Sequence, residues 1–376
     1  MMLLTEPAAQ LAPDMPWLLP LFFALFGACI GSFLNVVIYR LPRGLSVNSP
    51  RRSFCPTCKA PIPWYLNLPI VSYLMLRGRS ACCHTRISPR YCAAEALCAF
   101  LWAAVVACFD SESLATLIPL CAWLSLMLAC FCIDWEQMVV LPSLTVGAAL
   151  CGFFVAFSSP WLVQEGALEA WEGLQTSLLG AAGGFALFKL VGLCGKLAFG
   201  RRSRSFESPQ PWRIAQAADG EDIELTVGDE HLLWSELFME TGDRLTLTAA
   251  TESTHPELTA ASLVLTPEAL LLPDGTQVGL ESAESLSGTC GGYSSRRAAM
   301  GSGDAWLALA IGSLCGWQGV VFALVGGSFI GLGAAAVARI GIGRPMPFGP
   351  ALIAAAVLWL FFGSEMVAAY NALWGL

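Results

Sequence analysis

The sequence predicts an all-α polytopic membrane protein of about eight transmembrane helices, with a small cytoplasmic Cys-rich loop domain and a β-rich cytoplasmic insertion. Three observations lead there. The 376 residues are 56% hydrophobic and only 13% charged, against about 25% charged in a typical soluble domain, and the mean hydropathy is +0.64. Apolar runs of the length needed to cross a bilayer recur along the chain. The basic residues are confined to alternate segments between those runs. An ordinary cytosolic enzyme and a disordered chain are both excluded.

The expected spans are Trp17–Ile38, Cys92–Phe109, Leu114–Ile133, Leu141–Phe157, Leu174–Phe199, a short one over Asp304–Trp317, Val320–Ala338 and Pro350–Leu373. The first does not read as a cleavable signal peptide: no basic residue precedes it and no small-residue cleavage site follows. The net charge of −8 hides an asymmetry. Nine Lys or Arg lie within Arg40–Arg90, with no acid among them; two more lie near the end of the fifth span and seven in the polar stretch after it, and Arg339 and Arg344 follow the seventh. With eight spans these segments share one side, and the opposite loops hold only acids (Asp110, Glu112, Glu165, Glu169, Glu172). The positive-inside rule then places the basic segments in the cytoplasm and both termini outside.

The organisation that follows is a first span (1–39), a cytoplasmic zinc-knuckle-like domain (40–91), spans two to five (92–199), a cytoplasmic insertion (200–300) and the last three spans (301–376). The insertion carries 16 acids against 7 bases over Gly200–Gly303 and reads as a solvated module. It opens on a polar linker, Arg201–Gln210. Short strands are expected at Ile223–Val227, Arg244–Ala249, Ser262–Thr266, Ala269–Leu272 and Gln277–Leu280, with a turn at Pro273-Asp274-Gly275 and a flexible run over Ser285–Arg297.

Most of the fifteen Cys lie inside spans, where they act as small apolar residues. The loop domain is different. Cys55-Pro-Thr-Cys58 has the C-x-x-C spacing that offers two thiolates to a zinc tetrahedron. In the partner sequence Ser80-Ala-Cys82-Cys83-His84, Ser80 stands where the first Cys of a second C-x-x-C belongs. Cys83 is the natural third ligand and the fourth is Cys82 or His84. The zinc is structural, stapling about 50 residues that lack a core of their own; nothing nearby supplies a general base for a catalytic one.

Ionisable residues in or at the ends of spans default to functional candidates. Asp134 closes the third span and Asp304 opens the sixth, both at the expected cytoplasmic face. Two carboxyl groups held together share one proton, which supplies acid and base at neutral pH, as in aspartic proteases. Asp304 follows Gly301-Ser-Gly303, and the two glycines let backbone and substrate approach closely. Glu95 is placed to pair with Arg90 as an anchor, and Glu136 reads as solvated.

The run Gly31-Ser-Phe-Leu-Asn-Val-Val-Ile-Tyr-Arg-Leu-Pro42 resembles the opening of the bacterial type IV prepilin peptidases, the prepilin leader peptidase/N-methyltransferases. So do Cys55–Cys58, Trp64-Tyr65 with Asn67 and Pro69, Arg77-Gly-Arg79 and Ile87–Tyr91. Asp134 falls in the first aspartate motif, Met300–Asp304 resembles the G-x-G-D motif, and Pro347-Phe-Gly-Pro350 matches a late P-F-G-P element. The resemblance covers about residues 17–199 and 298–375. It implies an aspartic endopeptidase of the bacterial cytoplasmic (inner) membrane, with Asp134 and Asp304 catalytic and facing the cytoplasm. Its partners would be prepilins or type II secretion pseudopilins, and not nucleic acid. Many members then methylate the new N-terminus with S-adenosylmethionine. Alternatives are a peptidase without the transferase and a non-catalytic membrane scaffold for pilus or secretion assembly. Three departures stand out: Ser80 for Cys, Ser143 where the family commonly has a second Asp, and an insertion with no counterpart.

Overall fold

The computed structural model describes residues 6–11, 14–49, 53–55, 57–163, 166, 169–199, 201–216, 223–238, 243–248, 251–252, 262–271, 277–279, 287–296, 301–338 and 346–374. The chain divides into two compact units, Met1–Ala186 with Gly303–Leu376, and Leu187–Ser302. The expected turn at Pro273-Asp274-Gly275 lies outside the described residues.

The first unit is helical. A short α1 (Ala8–Leu11) precedes α2 (Leu18–Arg40). The loop domain holds α3 (Val71–Met75). Then come α4 (Pro89–Cys108), α5 (Leu114–Gln137), α6 (Pro142–Ser158) and α7 (Ala170–Phe199). Six helices among the described residues are long and apolar enough to cross a membrane, and the 17-residue α6 is shorter. Helix starts follow local chemistry. Pro89 and Pro142 each occupy the first turn, where a missing N–H costs nothing, and the Ser88 side chain accepts the Arg90 N–H.

After the insertion the chain forms one apolar element of 36 residues, Ser302–Val337. Straight, it would be about 54 Å long, well beyond the roughly 30 Å of a bilayer core. It breaks at Gly316 (φ 62°, ψ −172°), a conformation nearly closed to residues with a Cβ. A Cβ built on Gly184 would meet both the Ala308 carbonyl oxygen (2.8 Å) and Val320 Cγ2 (3.0 Å). Those residues flank the break, so the chain turns back on itself there. We label the whole element α9. The final helix, α10, is Gly349–Trp374.

The second unit contains one nine-stranded antiparallel sheet ordered β3-β2-β1-β9-β4-β6-β7-β8, with β5 added to β9. The strands are β1 Arg201–Gln216, β2 Ile223–Val227, β3 Glu230–Leu233, β4 Arg244–Thr248, β5 Thr251–Glu252, β6 Ser262–Leu265, β7 Ala269–Leu271, β8 Gln277–Gly279 and β9 Ser287–Arg296; a single helical turn, α8 (Trp234–Leu237), follows β3. Every second residue faces one core: Trp212 and Ile214, Leu225 and Val227, Leu245 and Leu247, Leu263 and Leu265.

Two expectations fail here. The polar linker Arg201–Gln210 belongs to β1, and most of the flexible run Ser285–Arg297 is β9. These are the long central strands, and each is paired along both edges. Backbone pairing of that extent holds Gly- and Ser-rich segments extended, while Cys290 and Tyr293 of β9 reach the core. Local composition does not report such distant pairing.

Candidate active site and metal centre

Asp134 sits in the last turn of α5 and is 5% exposed. The helix stops just beyond it, where Met138 turns left-handed (φ 53°) and its N–H bonds the Asp134 carbonyl at 2.9 Å. Asp304 lies half-buried in the first turn of α9. The fully buried Trp123 of α5 donates its indole N–H to the Ala310 carbonyl of α9 at 3.0 Å. That bond joins residues 187 apart in sequence and fixes the register of α5 against α9, with Asp304 within electrostatic range of Asp134.

Two close approaches complete the pairing. A Cβ on Gly303 would lie 2.7 Å from Val140 Cβ, so the start of α9 closes directly on the loop that follows Asp134. A Cβ on Gly301 would meet nothing within 4 Å; of the two motif glycines, only Gly303 is required by space. A third glycine was not singled out from sequence. Gly349, at the start of α10, gives its backbone N–H to the Asp134 carboxylate. A Cβ there would fall 3.1 Å from Asp134 Cγ and 2.8 Å from Leu307 Cδ1, with the carboxylate oxygen nearer still. The signal was present in Pro347-Phe-Gly-Pro350, whose glycine is the floor under one aspartate. The helix N-terminus also favours a negative charge at that point.

The flanking charges differ from expectation. Arg90 is ion-paired with Glu136, two residues beyond Asp134, and not with Glu95. Glu136 is therefore a tie between α4 and the end of α5. The Glu95 Oε2 instead accepts the Ile70 backbone N–H at 2.7 Å, at a residue forced to φ 61°.

The loop domain is built from two matching turns. Phe54 bridges Pro61 around Cys55–Cys58, and Arg79 bridges Arg86 around Ser80–Cys83. Each has a left-handed residue directly after its second Cys, Lys59 (φ 59°) and His84 (φ 55°). Ser80 thus occupies the place of Cys55. Its hydroxyl lies 3.1 Å from the Cys83 sulfur, and Thr85 Oγ1 is at the same distance. The fourth thiol comes from Cys82: Sγ atoms of Cys55, Cys58, Cys82 and Cys83 all lie within 4.8 Å of one another. His84 takes the left-handed turn position and is outside that group. Separations of 3.6 Å (Cys55–Cys83), 3.3 Å (Cys58–Cys82) and 3.9 Å (Cys82–Cys83) approach the roughly 3.8 Å edge of a tetrahedral zinc–thiolate site. The four sulfurs fit a metal ion, with adjacent Cys82 and Cys83 both contributing.

The thiols are unequal. Hydrogen bonds from the Ser80 and then the Thr85 hydroxyl hold Cys83 down at about 5. Cys55 is also lowered, first by the Cys58 backbone N–H. For Cys58 the Ala60 backbone N–H favours thiolate, but the Cys82 sulfur and desolvation prevail and push it up to about 12. Two sites lean to thiolate before any cation arrives.

Comparison with known proteins places these features. Residues 25–109 match the Bacterial Peptidase A24 N-terminal domain, and residues 257–336 match the Type IV leader peptidase family. The chain is 34% identical over 186 residues to the prepilin leader peptidase/N-methyltransferase of Myxococcus xanthus, covering 50% of this chain and 52% of that protein; it therefore spans about half the length of that relative. It is 35% identical over 204 residues to the Klebsiella pneumoniae protein of the same name, covering 84% of it, and 36% identical to that of Pseudomonas putida, covering 70%. No solved structure matches. With a relative matched over more than four-fifths of its length and both family domains found in order, this chain belongs to the prepilin leader peptidase/N-methyltransferase family.

Proposed function

We propose that this chain cleaves the leader from prepilins or type II secretion pseudopilins at the cytoplasmic face of the inner membrane, using Asp134 and Asp304 as an aspartic dyad, and then N-methylates the new terminus. The observation that carries the hydrolytic part is the convergence of Asp134 and Asp304 across the α5–α9 contact, with the Asp134 carboxylate held by the Gly349 N–H. In this reading one carboxylate takes a proton from water as its oxygen attacks the scissile carbonyl. The other carboxyl donates to the carbonyl oxygen, and the leaving amine then takes a proton as the C–N bond breaks. Counting α6 and both limbs of α9, eight apolar helical segments alternate with the basic segments on one side. Both termini then face outward and the dyad faces the cytoplasm.

The four-thiolate site would hold zinc structurally, because all four donors are protein sulfurs and no open position remains. When bound, the ion supplies cross-linking of the two turns. Cys55, Cys58, Cys82 and Cys83 provide the donors, and Ser80 and Thr85 orient Cys83. The test is cleavage of a prepilin by the purified protein and by Asp134→Ala and Asp304→Ala, with mass spectrometry of the product. Loss of cleavage in both variants with normal membrane insertion is expected, and a product heavier by one methylene reports the transferase. Cleavage that survives either substitution refutes the dyad.

A further inference from the structure

The loop domain exposes apolar side chains that a module surrounded by water would bury. Leu68, Val71, Leu74 and Met75 are 48%, 49%, 65% and 75% exposed. The last three stand at i, i+3 and i+4 and line one face of α3, while Ser72 on another face is buried. Left-handed backbone sets both ends of this helix. Ile70 (φ 61°), a β-branched residue for which such a φ is a genuine outlier, gives its N–H to Glu95 Oε2 at 2.7 Å. Arg77 (φ 52°) and Gly78 (φ 68°) turn the chain away at the other end, where the Gly78 N–H bonds the Tyr73 carbonyl at 3.0 Å. Glu95 lies about 9 Å along α4 from its first residue, Pro89. The Ile70 bond therefore holds the start of α3 beside the second turn of a long apolar helix. An apolar face at that depth meets the boundary between headgroups and acyl chains, as an interfacial helix does.

Positive charge follows α3 directly. Arg77, Arg79 and Arg86 line an open cleft of about 510 Å³ together with Tyr73 and Ser88. All three are exposed, and none has an ion-pair partner among the described residues. Arg79 and Arg86 are directly opposed across an antiparallel bridge, where like charges repel. The Ile87 N–H, on the Gly78 carbonyl at 2.8 Å, fixes the two arms against each other. An anion shared by the guanidinium groups turns that repulsion into attraction, and their forks suit a phosphate. We infer that this cleft binds the phosphate of an anionic phospholipid, with Leu68, Val71, Leu74 and Met75 seated against the acyl chains of the same leaflet. The apolar face decides for a lipid over a free phosphate or an acidic peptide, because neither of those would cover it. The bound lipid clamps the Cys-rich turns to the membrane surface beside α4. This site depends on α4 crossing the bilayer, as proposed above, and on neither the peptidase nor the methylation reading.

The experiment uses the full-length purified protein. Native mass spectrometry in detergent measures its affinity for phosphatidylglycerol against phosphatidylcholine. Phosphatidylglycerol with a photoreactive acyl chain, in nanodiscs, then locates the contact by peptide mapping. Wild type should prefer phosphatidylglycerol, and label should reach the peptide containing Leu74 and Met75 as well as the spans. Each surface Arg is worth about a fivefold change in affinity for anionic lipid, so Arg79→Gln with Arg86→Gln should weaken binding about 25-fold. Arg79→Lys with Arg86→Lys keeps the charge and should bind within a few-fold of wild type, which separates lost attraction from lost folding. Equal affinity of wild type for the two lipids, unchanged affinity in the Gln pair, equal loss in the Lys pair, or no label on that peptide overturns the inference. So does displacement of the lipid by inorganic phosphate, which would make a free-phosphate site, or by polyglutamate, which would make a peptide site. Absence of prepilin cleavage by wild type, with lipid preference and labelling intact, defeats the peptidase reading alone.

Discussion

Gly349→Ala tests the active-site geometry without touching either aspartate. The new methyl carbon would sit 3.1 Å from Asp134 Cγ and 2.8 Å from Leu307 Cδ1, against about 3.5–4.0 Å for a relaxed carbon contact. The carboxyl carbon must retreat by about half an ångström and its nearer oxygen by about 1 Å, away from the Gly349 N–H that holds it. Leu307, one turn along α9 from Asp304, must also give way. Overpacking of this kind costs about 1–3 kcal/mol of stability. The catalytic cost is larger, because a misplacement of about 1 Å lowers rates about a hundredfold. The assay is the initial rate of prepilin cleavage in detergent, normalised to folded protein from a thermal melt. Gly183→Ala, on α7 with nothing within 4 Å of the added carbon, is the control and should leave stability unchanged or raise it by up to about 1 kcal/mol, since Ala is favoured over Gly inside a helix. A Gly349→Ala enzyme that cleaves within a few-fold of wild type would refute the account of how Asp134 is positioned.

The metal site yields sharper tests. Cys82→Ser should lose bound zinc by elemental analysis while His84→Ala retains it; the reverse would reassign the fourth donor. Ser80→Cys should restore zinc to Cys82→Ser, since Ser80 already lies 3.1 Å from the Cys83 sulfur in the place of Cys55. Because Cys83 is lowered from 9.0 to about 5 in the fold, the stabilisation from its thiolate is complete only above about pH 9 and is lost progressively as pH falls from there through about 5. Metal release followed with a chromogenic chelator should therefore increase as pH falls, and Ser80→Ala should move that release to higher pH. Arg90→Ala breaks the ion pair with Glu136, whose partners are 22% and 32% exposed. Chemical denaturation should register less than about 1 kcal/mol, and a larger loss would mean that the pair does more than tie α4 to α5.

Much of the architecture was legible because it rests on local signals. Spans announce themselves by unbroken apolar length, and the strands β2, β4, β6, β7 and β8 by alternation with flanking turn residues. The C-x-x-C spacing and the two aspartates at span ends drew attention for their chemistry alone, since charge in an apolar setting is expensive. Where expectation failed, the deciding partner was distant. Arg201–Gln210 and Ser287–Arg296 look like linkers until they are paired with each other. Arg90 sits one turn from Glu95 in sequence, yet takes Glu136 on another helix. His84 stands in the sequence as an alternative to Cys82, and only the folded turn gives His84 the left-handed position matching Lys59.

Sequence alone thus determined which segments are apolar helices, where a β module interrupts them, and which side chains have chemistry to offer, because hydrophobic period and residue type are properties of a short window. Tertiary structure decided that Trp123 caps Ala310, that Gly349 lies under Asp134, that the long α9 element reverses at Gly316, and that the Cys82 sulfur gathers with those of Cys55, Cys58 and Cys83. Those outcomes depend on close approach between residues tens to hundreds of positions apart, and no local pattern specifies which backbone will arrive beside which carboxylate.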